Sequence, residues 1–351
     1  MKTSTFSTCA VLAAAVFNGV SAIDLDVNSR DSIKSASSEI AAGLISYYDP
    51  DEPNLLPEPY AWWHAGAMFS TLVDYWALTG DASYLSTTQN ALLSQVGPNK
   101  NYVPDSQIGS LANNEQGIWA LAAMAAAEHG FPFPDQGDDD DAQDTCDGGL
   151  RWQISPSNKG YDYKNVESNG AFFQLAARFA AYHSDGDGPY AEWAHKVFYW
   201  LYEVDYIHNS GSMKDGGHTP DCDDSVVNEF VYEFWGINSG LLIEGAVNMY
   251  NVTKDHRRWG GNFYGLVDRA TEVFFYKDTN IMWERLCEGS QPCYVNPRMY
   301  KRFLARALSK TTIFAPFTKE TLMPLLTASA EGAAMQCSSG GGTNKTTKCE
   351  L

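Results

Sequence analysis

The stretch Leu111-Ala112-Asn113-Asn114-Glu115-Gln116-Gly117-Ile118-Trp119 carries the densest set of side chains that could do chemistry. A carboxylate such as Glu115, set among amides and tuned by burial, can give or take a proton in a reaction. The same group at the start of a helix can do no more than answer free backbone N–H groups and the helix dipole. Both readings of Glu115 stand at this level. Rings gather in comparable places: Tyr60, Trp62 and Trp63; Tyr102; Trp152, Tyr161 and Tyr163; Trp235. Flat rings at loop ends beside a cleft can stack on pyranose faces, and flat rings in a core simply pack. His64 is either a polar group near a cleft or a satisfied core histidine. The acidic run Asp138 to Asp141 lacks the spaced ligands and turn glycine of a calcium loop and reads as solvated. There is no HExxH, no P-loop and no GxSxG, so no metal site or cofactor is implied.

These side chains need elements to hold them, and a repeat supplies the elements. Four segments open with polar residues, pass through a glycine and run on in small and apolar residues: His64-Ala65-Gly66-Ala67, Glu115-Gln116-Gly117-Ile118, Ser168-Asn169-Gly170-Ala171 and Asn238-Ser239-Gly240-Leu241. The glycines stand 51, 53 and 70 residues apart, each interval suiting a helical hairpin with loops. The runs behind them are apolar on most sides, which predicts buried inner helices near 62–79, 115–129, 169–184 and 237–250, and a fifth inner helix is expected near 298–314. Amphipathic outer helices are expected near 31–48, 82–95, 190–204, 262–277 and 319–335. Asp31 is expected to cap the first, with Ile33, Ile40, Leu44 and Ile45 on its core side, and Trp193, Val197, Trp200, Leu201 and Val204 form the core side of the third. Two concentric layers of this kind make an (α/α) toroid whose inner helix starts line a cleft. An irregular helical domain is the alternative.

Charge and cysteines bound the setting. The 351 residues hold 43 acidic and 24 Lys plus Arg residues, a formal net charge of −19, which argues against nucleic acid or an anionic membrane as partner. Residues 1–22 read as a secretory signal peptide, with Lys2, an apolar run from Cys9 and small residues at Val20-Ser21-Ala22. Its removal leaves Cys146, Cys222, Cys287, Cys293, Cys337 and Cys349, an even set that suggests three disulfides, expected as Cys287–Cys293, Cys337–Cys349 and Cys146–Cys222. Asn251 and Asn344 head glycosylation sequons. No apolar tail follows Cys349, so no lipid-anchor signal is read in this chain.

The chain resembles fungal glycoside hydrolase family 76, the endo-α-1,6-mannanase family of cell-wall proteins, from about Ile23 to Cys349. The resemblance rests on Pro59-Tyr60-Ala61-Trp62-Trp63-His64-Ala65-Gly66-Ala67-Met68-Phe69, Asp74-Tyr75-Trp76, Gln95-Val96-Gly97-Pro98, Gly149-Leu150-Arg151-Trp152-Gln153-Ile154, Tyr163-Lys164-Asn165, Ser168-Asn169-Gly170 and Ala315-Pro316-Phe317-Thr318. It implies an all-α (α/α)6 toroid in a single domain over 23–351, and a retaining mechanism on α-1,6-linked mannose. It also implies a secreted or cell-wall protein, in a family often held at the plasma membrane by a lipid anchor, that acts on mannan or mannose-bearing glycans of wall glycoproteins by hydrolysis or transglycosylation. Trp62, Trp63, Tyr102, Trp152, Tyr163, Asn169 and Trp235 are the substrate-binding residues it suggests. Where the family carries Gly-Asn-Asp-Asp-Gln, this chain has Ala112-Asn113-Asn114-Glu115-Gln116, so the nucleophile position falls on Asn114 and the acid/base position on Glu115. His64 stands where an acidic residue commonly follows Trp-Trp.

A retaining glycosidase needs two carboxyl groups about 5–5.5 Å apart, and an amide cannot attack the anomeric carbon. Weak or absent α-1,6-mannanase activity is therefore expected. A non-catalytic mannan-binding wall protein and a degenerate copy without a stable fold are the other readings. Asp105 and Asp162 are candidates for an inverting rearrangement. Six hairpins need twelve helices and ten are legible, with gaps between Phe131 and Asn165 and after Cys349. The expectation is an incomplete, C-terminally truncated ring.

Overall fold

The computed structural model describes residues 21–52, 54–131, 148–219, 222, 235–253, 255–289, 293–339 and 348–349. Among them are ten α-helices, each falling on a predicted one: α1 (Arg30–Ile45), α2 (Trp62–Thr79), α3 (Leu85–Ser94), α4 (Asn113–Glu128), α5 (Val166–Tyr182), α6 (Pro189–Glu203), α7 (Gly236–Val252), α8 (His256–Val273), α9 (Val295–Phe314) and α10 (Lys319–Gln336). Five short strands accompany them: β1 (Ser21–Ala22), β2 (Tyr163–Asn165), β3 (Gly216–His218), β4 (Cys337–Ser339) and β5 (Lys348–Cys349). The strands form two small sheets, β1-β4-β5 and β2-β3, antiparallel throughout.

The two layers are those the repeat predicts. Helices α2, α4, α5, α7 and α9 pack side by side in that order, and α3, α6, α8 and α10 lie against their outer sides. Helix α7 shows why the inner layer is buried: from Gly236 to Met249 every residue is hidden from solvent. Outer helix α8 buries only the stripe Trp259, Phe263, Leu266, Val267, Ala270 and Val273. Each repeat glycine faces the next inner helix. A Cβ on Gly66 would meet the Trp119 ring at 3.0 Å, one on Gly117 the Ala171 Cβ at 2.8 Å, one on Gly170 the Leu241 Cβ at 3.3 Å, and one on Gly240 the Phe303 backbone at 2.5 Å. At Gly117 and Gly240 a side chain would force the helices apart, because closely packed interiors do not yield by half an ångström without cost.

Some local expectations are corrected. Ser29, not Asp31, caps α1, its side chain accepting from the Ser32 N–H. Ile33 and Ile40 are 42% and 37% exposed, while α1 buries Ala36, Ala41 and Gly43. Leu44 and Ile45, half-buried, do pack against the core on their expected side. Trp193 on α6 is likewise 44% exposed, with Lys196 over its ring, while Val197, Trp200 and Leu201 are buried.

Below the inner helix starts, a network of charges ties the inner layer together. Arg178 on α5 donates Nε to Glu128 Oε1 at 2.7 Å and Nη2 to Glu128 Oε2 at 2.9 Å, a bidentate pair between α5 and α4. Arg306 on α9 donates Nε to Asp74 of α2 at 3.0 Å and Nη1 to Glu244 of α7. Arg302 donates Nε to Thr71, so two arginines of α9 reach α2. Burial pushes the Asp74 carboxyl up, but the Arg306 guanidinium and His129 together hold it well below the usual carboxylate range. Glu128 is lowered in the same way: burial opposes, and Arg178 prevails.

Cys287 and Cys293 form the expected disulfide, with Cα atoms 4.9 Å apart. Cys222 and Cys337 are each in a disulfide as well, and Cys337 stands opposite Cys349 in the β4–β5 pairing. Cys146, Asn344, Asp138 to Asp141 and most of the expected signal peptide lie outside the described residues. No helix among the described residues is long and apolar enough to cross a membrane.

Candidate active site

The starts of α2, α4, α5 and α7 open at one end of the ring, and most of the unusual polar groups collect there. The α4 start is pinned from outside by the segment 148–153. Asn113 donates its backbone N–H to Trp152 O and its side-chain amide to Arg151 O, both at 2.8 Å. Asn169 on α5 holds the same segment, accepting from Leu150 N–H at 2.6 Å and donating to Leu150 O and Asn165 O at 3.0 and 2.8 Å. Asn169 is fully buried and its amide is consumed by backbone, so it is a strut of the rim and not a substrate ligand. The Asn165 side chain caps α5, accepting from Ser168 N–H.

Glu115 stands at the third position of α4 and accepts the Ala112 N–H through Oε2 at 3.1 Å. That is half of a capping box. Burial pushes its carboxyl up, and the Ala112 bond partly offsets this. The capping and acid–base readings of Glu115 are thus compatible: one oxygen caps, and the other is left over. His64 does the same work at the third position of α2, where Nδ1 accepts from the Ala61 N–H at 2.9 Å. Burial pushes His64 down to about 4, so at neutral pH it is an uncharged ring.

Asn114, at the second position of α4, is buried and donates Nδ2 to Glu167 Oε1 at 2.9 Å. Glu167 occupies the second position of α5, the same place in the repeat, three residues before its glycine. Burial pushes the Glu167 carboxyl up to about 7; the Asn114 bond lowers it, and Asp215 and Glu115 raise it further. Asp215 lies just before β3, accepting from Tyr163 OH at 2.9 Å and from Asn238 Nδ2 at 3.4 Å. Glu284, fully buried, takes both its hydrogen bonds from the Gly236 N–H at the start of α7, and burial pushes it up to about 8. Tyr300 on α9 faces this group: burial raises its hydroxyl, and Glu167, Asp215 and Glu284 add to the shift. Buried polar atoms with no protein partner cluster here as well, namely His64 Nε2, Asn114 Oδ1, Ser168 Oγ, Asn238 Oδ1 and Ser239 Oγ. A ligand rich in hydroxyls is the kind that satisfies such groups.

The rings divide. Trp63 lies in the cluster at the ring axis with Ile237, Leu241, Trp235 and Tyr300, and stacks on Tyr300 at 6.3 Å. Trp235 meets Tyr300 edge-on at 5.5 Å, and Trp152 meets Tyr163 edge-on at 6.4 Å. Trp62 is not a groove ring: it is 2% exposed, donates Nε1 to Gln95 at 2.7 Å and stacks on Trp119. Tyr102 also stacks on Trp119, inside the α2–α4 core. Asp105 and Asp162 are at the surface, Asp162 paired with His218, so neither serves as a second carboxylate of the cleft.

Glu167, Asp215, Glu284 and Tyr300 were not singled out from sequence. A signal existed for Glu167, since it repeats the offset of Asn114 from the motif glycine. Asp215 and Glu284 sit in aperiodic loops and offered none.

A helical toroid with carboxyl groups, rings and unpaired polar atoms at its inner helix starts defines a glycoside-hydrolase class of protein. The chain belongs to glycosyl hydrolase family 76, whose pattern matches residues 32–351. It is 35% identical over 339 residues to mannan endo-1,6-alpha-mannosidase DCW1 of Saccharomyces cerevisiae, covering 91% of this chain and 74% of that one. It is 34% identical over 347 residues to mannan endo-1,6-alpha-mannosidase DFG5 of the same yeast, covering 92% and 74%. The crystal structure of Dfg5 from Chaetomium thermophilum in complex with glucosamine is similar with a TM-score of 0.81 and 36% identity, over 92% of this chain and 84% of that one. The GH76A alpha-1,6-mannanase from Salegentibacter sp. HEL1_6 shares the fold at a TM-score of 0.62 and 16% identity, with 86% of each chain covered.

Proposed function

We propose that this protein binds α-1,6-linked mannan in the cleft at the inner helix starts and serves cell-wall glycan processing outside the cell. The relatives' names support the polymer, and the rings Trp152, Tyr163, Trp235 and Tyr300 support a groove for it. The observation that carries the chemical part is the Asn114 amide donated to Glu167. A group that donates a proton bond through nitrogen has no carboxylate with which to form a glycosyl-enzyme, so the retaining route is closed at that position. Secretion after loss of residues 1–22, and a glycan on the exposed Asn251 at the end of α7, go with this reading.

Two measurements test it. Calorimetry with linear α-1,6-mannan should give saturable binding. The double substitution Asn114→Asp with Glu115→Asp, which rebuilds the family's Asp-Asp pair, should raise retaining turnover at least tenfold over the unmodified chain. Absence of binding by a folded, secreted protein would sink the proposal. Binding without gain in the double variant would favour a purely mannan-binding wall protein.

A further inference from the structure

A second concave site lies outside the cleft, where α8 ends. Its cavity measures about 310 Å³, at the small end of the range of about 300–1,000 Å³ for small-molecule sites. The end of α8 supplies Arg269 and Glu272, and the antiparallel return of the chain supplies Tyr276, Lys277, Trp283 and Arg285. Backbone bonds hold that return: Trp283 N–H donates to Phe274 O at 3.0 Å, Tyr276 N–H to Ile281 O at 3.1 Å and Asn280 N–H to Tyr276 O at 2.8 Å. Successive residues of an extended stretch point to opposite sides. Glu284 accordingly turns to the Gly236 N–H at the start of α7, while Trp283 and Arg285 line the pocket on the other side of the same wall. The pocket stands beside the mouth of the ring and shares none of the cleft's carboxyl groups.

The lining selects the ligand. Tyr276 and Trp283 stack with centroids 4.4 Å apart and planes at 27°, and Tyr276 is 38% exposed, so a ring with a fixed backing is offered at the opening. A flat ring of this kind can cover the C–H face of a pyranose. Arg269 Nη1 donates to Glu272 Oε2 at 2.6 Å, which makes one wall a planar ion pair. Arg285 and Lys277 add donors, and the buried Trp283 Nε1–H has no partner among the described residues. Burial raises the Tyr276 hydroxyl, and Glu288 and Asp278 add to the shift, so carboxylates stand close to the ring as well. An anion would meet these carboxylates and a cation would meet the arginines. A neutral polyhydroxyl both donates and accepts, and suits both signs. We infer that this pocket is a second saccharide-binding site, holding a neutral sugar unit with its apolar face on Tyr276 and its hydroxyls on Arg269, Glu272 and Arg285. The ligand class stands on this lining alone. That the sugar belongs to the polymer held in the cleft rests on the mannan reading proposed above. On that reading, a chain engaged at both sites gains affinity through effective concentration, with no change in either site.

The experiment is calorimetry on the secreted protein with α-1,6-mannobiose and with linear α-1,6-mannan. Two binding events per chain are expected with the disaccharide. Tyr276→Ala and Arg285→Ala should each weaken one event at least tenfold and leave the other within twofold. The polymer should bind at least tenfold tighter than the disaccharide, and both variants should lose most of that gain. If Tyr276→Ala is not secreted, Arg285→Ala decides, because that side chain is exposed. A single event that neither variant moves overturns the inference and leaves the mannan cleft standing. A single event that both variants abolish keeps the pocket and removes the cleft reading. No event with either ligand overturns both. Mannose 6-phosphate binding at least tenfold tighter than mannose, with the difference lost in Arg285→Ala, would also overturn the inference, since the pocket would then select an anion.

Discussion

The two carboxylate groups of the ring differ in one thing. Along the inner layer, Asp74, Glu128 and Glu244 are buried against Arg178 and Arg306. At the mouth, Glu115, Glu167 and Glu284 are buried with amides, backbone N–H groups and one another. Burial pushes the carboxyls of Asp74, Glu128, Glu115, Glu167 and Glu284 up, but the arginines reverse this for Asp74 and Glu128 while nothing reverses it at the mouth. On α4 the contrast runs from Glu115 to Glu128 on one helix, about 20 Å apart at 1.5 Å per residue. Whether a buried acid becomes a strut or a proton carrier is thus decided by the presence of a guanidinium, not by depth.

Breaking the strut should have the largest effect. Arg306→Met removes the main cation of buried Asp74 and Glu244 and is expected to cost about 3–5 kcal/mol, read as a large loss of denaturant midpoint. The unmodified protein should lose stability as pH falls below about 4. Asp74 and Glu128 titrate lower in the folded state than in the unfolded one, so their contribution is present above the unfolded value and lost on acidification.

Glu167→Gln should have the opposite sign. Its carboxyl is raised on folding, so its penalty is absent at low pH, grows as pH rises above the ordinary carboxylate value, and is fully present above about 7. The variant is expected to be more stable than the parent by about 1–3 kcal/mol at pH 8 and equal to it near pH 4. Matched melts at the two pH values check this, and equal stability at both would dissolve the contrast.

Gly117→Ala tests the packing that brings Asn114 to Glu167. A Cβ there would lie 2.8 Å from the Ala171 Cβ, so α4 and α5 must separate. A loss of about 1–3 kcal/mol is expected, with a loss of turnover larger than Gly261→Ala, which meets nothing, would give. Smallest of all, Asp162→Asn breaks an ion pair more than half exposed on both sides. It should change stability by less than about 1 kcal/mol and turnover by less than twofold, since solvent already screens the pair.

Much of this architecture was legible before folding was considered. The glycine repeat marked four of the five inner helices, because close approach of two helices demands a missing side chain and leaves that demand in the sequence. The Cys287–Cys293 bridge followed from spacing. Trp62 and Trp63 were not separable: adjacent on a helix, they point about 100° apart, so one enters the α2–α4 core and the other the axis. Asn169 looked like a ligand because it is polar beside the mouth, and the structure spends it on Leu150.

The sequence alone determined the inner and outer layers, the family, and the presence of an amide at position 114, because these depend on residue type and local period. Tertiary structure decided which carboxyl groups meet. Glu167 is 53 residues from Asn114 and Arg306 is 232 from Asp74. Electrostatic environment is a property of distances between such groups, and chain order does not encode those distances until the helices have packed.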